Sequence, residues 1–159
     1  MKFALALAAF AASALAQHIE IGAPTNFAEV KAGSKITVEV NRPCVFADPG
    51  SRLAICPHWQ NSLTGSTEVG IAIGLWPCGA SKCASTDVSQ VLGTVVYAGA
   101  YKAAYDSAQP SQPPHQTFEV TVPASFAKGE VSLGVAHLFL MGAGSEPVYE
   151  FVNTTLVVS

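Results

Sequence analysis

The chain has 159 residues, a formal charge of −3 and charged side chains at only 12% of positions. That length suits one domain with a two-layer core. The 8 Lys and Arg form no basic patch, which excludes nucleic acid as a partner because nothing is placed to neutralise phosphates.

Met1-Lys2-Phe3 makes a short basic start, an Ala- and Leu-rich apolar run follows, and Ala14-Leu15-Ala16 fits a signal-peptidase site. Residues 1–16 therefore read as a signal peptide and 17–159 as a single β-sandwich domain, secreted to the extracellular space. Export places the four cysteines in an oxidising compartment. No later apolar run reaches spanning length and no hydrophobic tail follows Leu156-Val157-Val158-Ser159, so no membrane span is expected.

Period-two alternation dominates the mature chain. Ile19 and Ile21 alternate with His18 and Glu20, and Ile36, Val38 and Val40 with Lys35, Thr37 and Glu39. Val69, Ile71, Ile73 and Leu75 repeat the pattern opposite Gly70, Ala72 and Gly74, which are small enough for another layer or loop to approach closely. Gly93 to Tyr101 is β-branched and aromatic, and Phe118, Val120 and Val122 alternate up to Pro123, which cannot donate to a ladder. Glu130 to Met141 and Tyr149 to Val158 complete about seven strands. Helical periodicity is confined to the leader. The expectation is all-β: an antiparallel immunoglobulin- or fibronectin-like sandwich, with Ile36, Val38, Val40, Val69, Ile71, Ile73, Phe118, Val120, Val131, Leu133 and Val135 facing the core. Residues 107–114 read as an exposed, extended loop.

Residues 44–60 stand apart from this pattern, with two cysteines and a tryptophan in an atypical insertion. One reading is a long surface loop stapled by Cys44 and Cys56. The other is a retained intron translated in frame: Val45 is encoded by GTN and Gln60 can be CAG, which supplies a donor GT and an acceptor AG. Excision would join Cys44 to Asn61 and leave a connection of ordinary length.

Cys78 and Cys83 enclose a short flexible loop and are expected to form a disulfide; a zinc site recruiting Cys56 or His58 fits no finger or ribbon spacing. No catalytic residue is expected. Ser66 and Ser132 lack a nucleophile elbow, no carboxylate pair stands out, and Glu68, Asp87, Asp106 and Glu119 read as solvated surface charges. His137 shares the parity of Val135 and Phe139 and reads as a neutral, hydrogen-bonded core histidine. No metal and no cofactor are expected. The competing arrangement is a copper site built on His18 with His137 or His115, but His18 follows Gln17 and so lacks the terminal amine that such sites use. Asn153-Thr154-Thr155 is an N-glycosylation sequon.

The strands Ile36–Val40, Thr67–Leu75, Leu92–Gly99 and Phe118–Pro123, with the terminal Phe151-Val152-Asn153-Thr154-Thr155-Leu156, resemble the fungal necrosis-inducing secreted protein family of small effectors. The resemblance implies a non-enzymatic binding protein that dampens pattern-triggered immunity by engaging plant immune receptor kinases. Residues 44–60 depart from the family's pattern. Two other readings are a copper-binding or carbohydrate-active secreted sandwich and a structural protein of the fungal wall.

Overall fold

The computed structural model describes residues 18–42, 66–79, 82–109 and 111–159. Residues 1–16, expected to be a signal peptide, and the 44–60 segment, with Cys44, Cys56 and His58, lie outside the described residues. Among the described residues eight strands form two sheets: β1 (Glu20–Ala23), β2 (Ala28–Val30), β3 (Lys35–Asn41), β4 (Ser66–Pro77), β5 (Thr94–Gly99), β6 (His115–Thr121), β7 (Gly129–Met141) and β8 (Glu146–Val158). A three-stranded sheet has the order β1-β3-β6, and a five-stranded sheet the order β2-β8-β7-β4-β5. This arrangement corresponds to strands A-B-E facing A′-G-F-C-C′ of an immunoglobulin-type sandwich.

All pairings are antiparallel except one. β2 runs parallel to the end of β8, Ala28 opposite Leu156 and Val30 opposite Val158. At three residues β2 is too short to show alternation, so the sequence pattern holds no sign of it. It exists because the chain crosses from β1 in one sheet to the edge of the other, where Phe27 N–H donates to Thr155 O and Ser159 N–H to Val30 O.

Val38, Val40, Ile71, Ile73, Phe118, Val120, Val131, Leu133 and Val135 are buried between the sheets, and Ile36 is half-buried at the margin. Val69 departs from expectation: it is 49% exposed. The cause is a β-bulge. Glu68 pairs with Phe139 and Gly70 with Leu138, so Val69 is an extra residue in β4 and the alternation breaks there. Ile71, Ile73 and Leu75 face inward, and beyond the bulge the next inward residue is Glu68, opposite buried Phe139.

The connection from β4 to β5 passes over the outer face of the larger sheet. A methyl group on Gly74 would collide with the Leu92 carbonyl, and one on Gly134 would sit 3.0 Å from both Leu92 Cδ1 and Val88 Cγ1. These two glycines are the floor on which the connection rests. Its β4 end is fixed by a Cys78–Cys83 disulfide beside a 3-10 turn at Cys83–Ser85.

Because Val69 is supernumerary, a chain lacking it restores a regular β4–β7 ladder and keeps Glu68 facing inward. We expect that variant to retain one cooperative urea transition. Deletion of Ala72 instead turns half the strand's core residues outward and abolishes that transition.

Candidate functional site

At one end of the sandwich the apolar core gives way to a compact group of charged side chains. Arg42 directly follows β3 on the parity of Val38 and Val40, and its backbone N–H donates to Pro114 O at 2.8 Å, which extends the β3–β6 pairing. His137 on β7 and Glu150 on β8 are cross-strand partners, and the bulge in β4 adds Glu68. Arg42, His137 and Glu150 are buried, while Glu68 is 22% exposed at its side chain.

Every member is engaged by another. Arg42 Nη1 is ion-paired with Glu68 Oε1, and its Nη2 donates to Ser66 Oγ at 2.8 Å. His137 Nε2 meets Glu68 Oε2, and His137 Nδ1 lies 3.0 Å from Glu150 Oε2. Glu150 Oε2 also accepts the Ile19 backbone N–H at 3.4 Å. Apolar rings enclose the group: Tyr101 meets the imidazole edge-on at 5.1 Å, Phe139 stacks on it at 5.3 Å, and Arg42 lies 5.9 Å from the Phe139 centroid.

Each imidazole nitrogen of His137 thus faces a carboxylate, and the Arg42 guanidinium sets a positive charge against Glu68, so the charged members lie beside opposite or hydrogen-bonding partners, as burial of such groups requires. Burial lowers the pKa of Arg42, with Tyr101 and Glu150 opposing, and a guanidinium starts so high that it stays charged. Burial also pushes the Tyr101 phenol well above its ordinary range, with Arg42 opposing; the neutral hydroxyl donates to Val40 O at 3.2 Å. The group therefore ties the amino-terminal segment, both sheets and the β5–β6 connection together. Arg42 and Ser66 also flank residues 43–65, so their hydrogen bond closes that connection at its base.

Glu68 is thus a correction to the sequence expectation: it is a partner of Arg42 and His137, not a solvated surface charge. Glu119 is on the surface beside Lys35. Asp87 is exposed, and its bonds from the Ser89 hydroxyl and backbone lower its pKa; Asp106 accepts from Ala108 N. Of the histidines considered for copper, His18 is exposed with Nδ1 3.9 Å from Glu150, His115 Nδ1 faces Pro113 O, and both His137 nitrogens face carboxylates. Among the described residues no three His, Cys, Asp or Glu converge as metal ligands. Arg42 and Glu150 escaped the sequence reading, although each sits on the inward parity of its strand.

A second feature lies on the outer face of the larger sheet. Gly70, Ala72 and Ala136 floor a shallow groove of about 350 Å³ that is walled by Val69, Leu138, Tyr149 and Phe151. Tyr149 is 63% and Phe151 37% exposed. Asn153 continues the same line on β8, with Nδ2 3.4 Å from Ser132 Oγ. No helix among the described residues is long and apolar enough to cross a membrane.

The charged group generates a stability prediction. Arg42→Met leaves Glu68 without its cation while the rest of the group stays buried, and we expect a loss of roughly 3–5 kcal/mol in urea unfolding. Lys35→Met, which breaks only an exposed pair with Glu119, should change stability by less than about 1 kcal/mol.

No curated protein matches the chain in sequence. The Nis1 family matches residues 14–157, the whole of both sheets but for the last residue of β8. The chain belongs to the Nis1 family.

Proposed function

We propose that this protein is a secreted effector that works by binding another protein, and that its partners are plant immune receptor kinases whose signalling it dampens. The observation that carries this reading is family membership across residues 14–157. The leader and the Cys78–Cys83 disulfide accord with export. The polar chemistry of the fold also accords with binding rather than turnover. Among the described residues the buried charged group is spent on internal pairing, with Arg42, His137 and Glu150 enclosed by aromatic rings.

The docking element we favour is the free edge of β5. Among the described residues this strand ends the five-stranded sheet and pairs with β4 alone, and it runs Thr94-Val95-Val96-Tyr97-Ala98-Gly99 without a charge or a proline. Edge strands are ordinarily blunted by such residues; an unguarded one offers backbone hydrogen bonds to an extended segment of a partner. Val95, 53% exposed, gives that edge an apolar contact. Tyr97 turns inward against Phe118 with ring centroids 4.6 Å apart, which holds the strand in place.

The test is capture of purified immune receptor kinase domains by the recombinant protein, with copper titration and substrate assays on the same material. We expect kinase binding that falls roughly tenfold or more in Val95→Lys, a change of about 1.4 kcal/mol, without loss of the folded state. Tight one-to-one copper binding at His18 with no kinase captured would contradict the proposal. So would binding that is indifferent to Val95→Lys, as regards the docking element.

A further inference from the structure

We infer that Asn153 is N-glycosylated and that the attached sugars fold back along β8 onto Phe151, covering the apolar outer face of the five-stranded sheet. The inference rests on export through the secretory route, where the sequon Asn153-Thr154-Thr155 is read.

Strand geometry supplies the first argument. Alternate residues of β8 share a face, so Tyr149, Phe151 and Asn153 form one outward line at a spacing of roughly 6.4–6.8 Å. All three are exposed. A sugar joined to Asn153 Nδ2 begins beyond the end of its side chain and lies within reach of the neighbouring ring. The remaining amide hydrogen can keep the contact with Ser132 Oγ, which holds the side chain to the sheet surface.

The character of the face supplies the second. Val69, Leu138, Tyr149 and Phe151 surround a floor of Gly70, Ala72 and Ala136, so the groove is lined almost wholly by apolar atoms and offers exposed aromatic rings beside Asn153. A pyranose ring has one face of C–H bonds, which suits an exposed aromatic ring, and a rim of hydroxyls, which suits water. Small side chains on β4 and β7 keep the floor low, so the glycan can lie flat across Phe151 toward Tyr149. Directly across the sheet from Asn153 the way is closed, because its partner Gly134, and Gly74 beyond it, lie under Val88 and Leu92 of the β4–β5 connection. Over the sheet, the uncovered path from Asn153 leads along β8 over Phe151. Two strands, β7 and β4, separate β8 from β5, so a glycan here leaves the β5 edge open.

The test is the full chain produced in a secreting yeast, collected from the medium and weighed before and after removal of N-glycans. We expect modification at Asn153. Trimming to a single N-acetylglucosamine should leave a protein that melts roughly 2–4 °C above Asn153→Gln and binds less of an apolar fluorescent dye. In Phe151→Ser the glycan should remain while both differences vanish, which separates packing on the ring from the mere presence of sugar. Secreted protein with unmodified Asn153 would overturn the inference, as would a single-sugar form indistinguishable from Asn153→Gln. Retention of the chain inside the cell would contradict export itself and with it the premise.

Discussion

Arg42 leaves the three-stranded sheet with its guanidinium directed at Glu68, and through Glu68 it is joined to His137 and Glu150 of the other sheet. Most of the sandwich is held by non-directional burial of Val, Ile and Leu, which sets no unique angle or offset between two sheets. The charged group has direction. A guanidinium, an imidazole and two carboxylates satisfy one another in few arrangements, and a buried member left unpaired costs far more than a misplaced methyl group. The group therefore fixes how one end of β3 sits over β4, β7 and β8. It also fixes where the connection that leaves at Arg42 must return at Ser66.

This arrangement needs the bulge at Val69, and the bulge serves both faces of the sheet. On the inside it returns Glu68 to the core parity after Gly70 and Ile71. On the outside it leaves Val69 as an exposed wall of the groove floored by Gly70, Ala72 and Ala136. A single extra residue thus couples the buried polar group to the apolar outer surface, as bulges do when they re-aim side chains. Gly74 and Gly134 act similarly one step further along, where their missing side chains let Leu92 and Val88 lie on the sheet.

Much of the fold is legible in the sequence, because alternation in Lys35–Val40, Phe118–Val122 and Val131–Val135 reports strands with one buried face. The row Gly70, Ala72, Gly74 likewise reads as a place of close approach, and the Leu92 carbonyl occupies it at Gly74. The candidate site is less legible. Arg42 and Glu150 lie on inward parities, but a charged residue there reads as the end of a buried stripe unless its partners are known, and those partners come from other strands. Glu68 is hidden more thoroughly: extrapolating back from Ile71 assigns Val69 inward and Glu68 outward, and only the pairing with β7 exposes the slip. β2 is legible neither by length nor by pattern, since it is defined by what it pairs with.

Family membership, a β5 edge that pairs only with β4 among the described residues and an internally paired charged group are the grounds on which a binding role is proposed. That account depends on the charged group being a structural clasp between the sheets. The most direct measurement is a double-mutant cycle on unfolding free energy with Arg42→Met, Glu68→Met and the two combined. A clasp predicts that the combined variant loses less stability than the sum of the singles, with a coupling of about 1–3 kcal/mol, because removing both charges leaves neither stranded. Effects that add to within about 0.3 kcal/mol would contradict it, since independent residues behave that way.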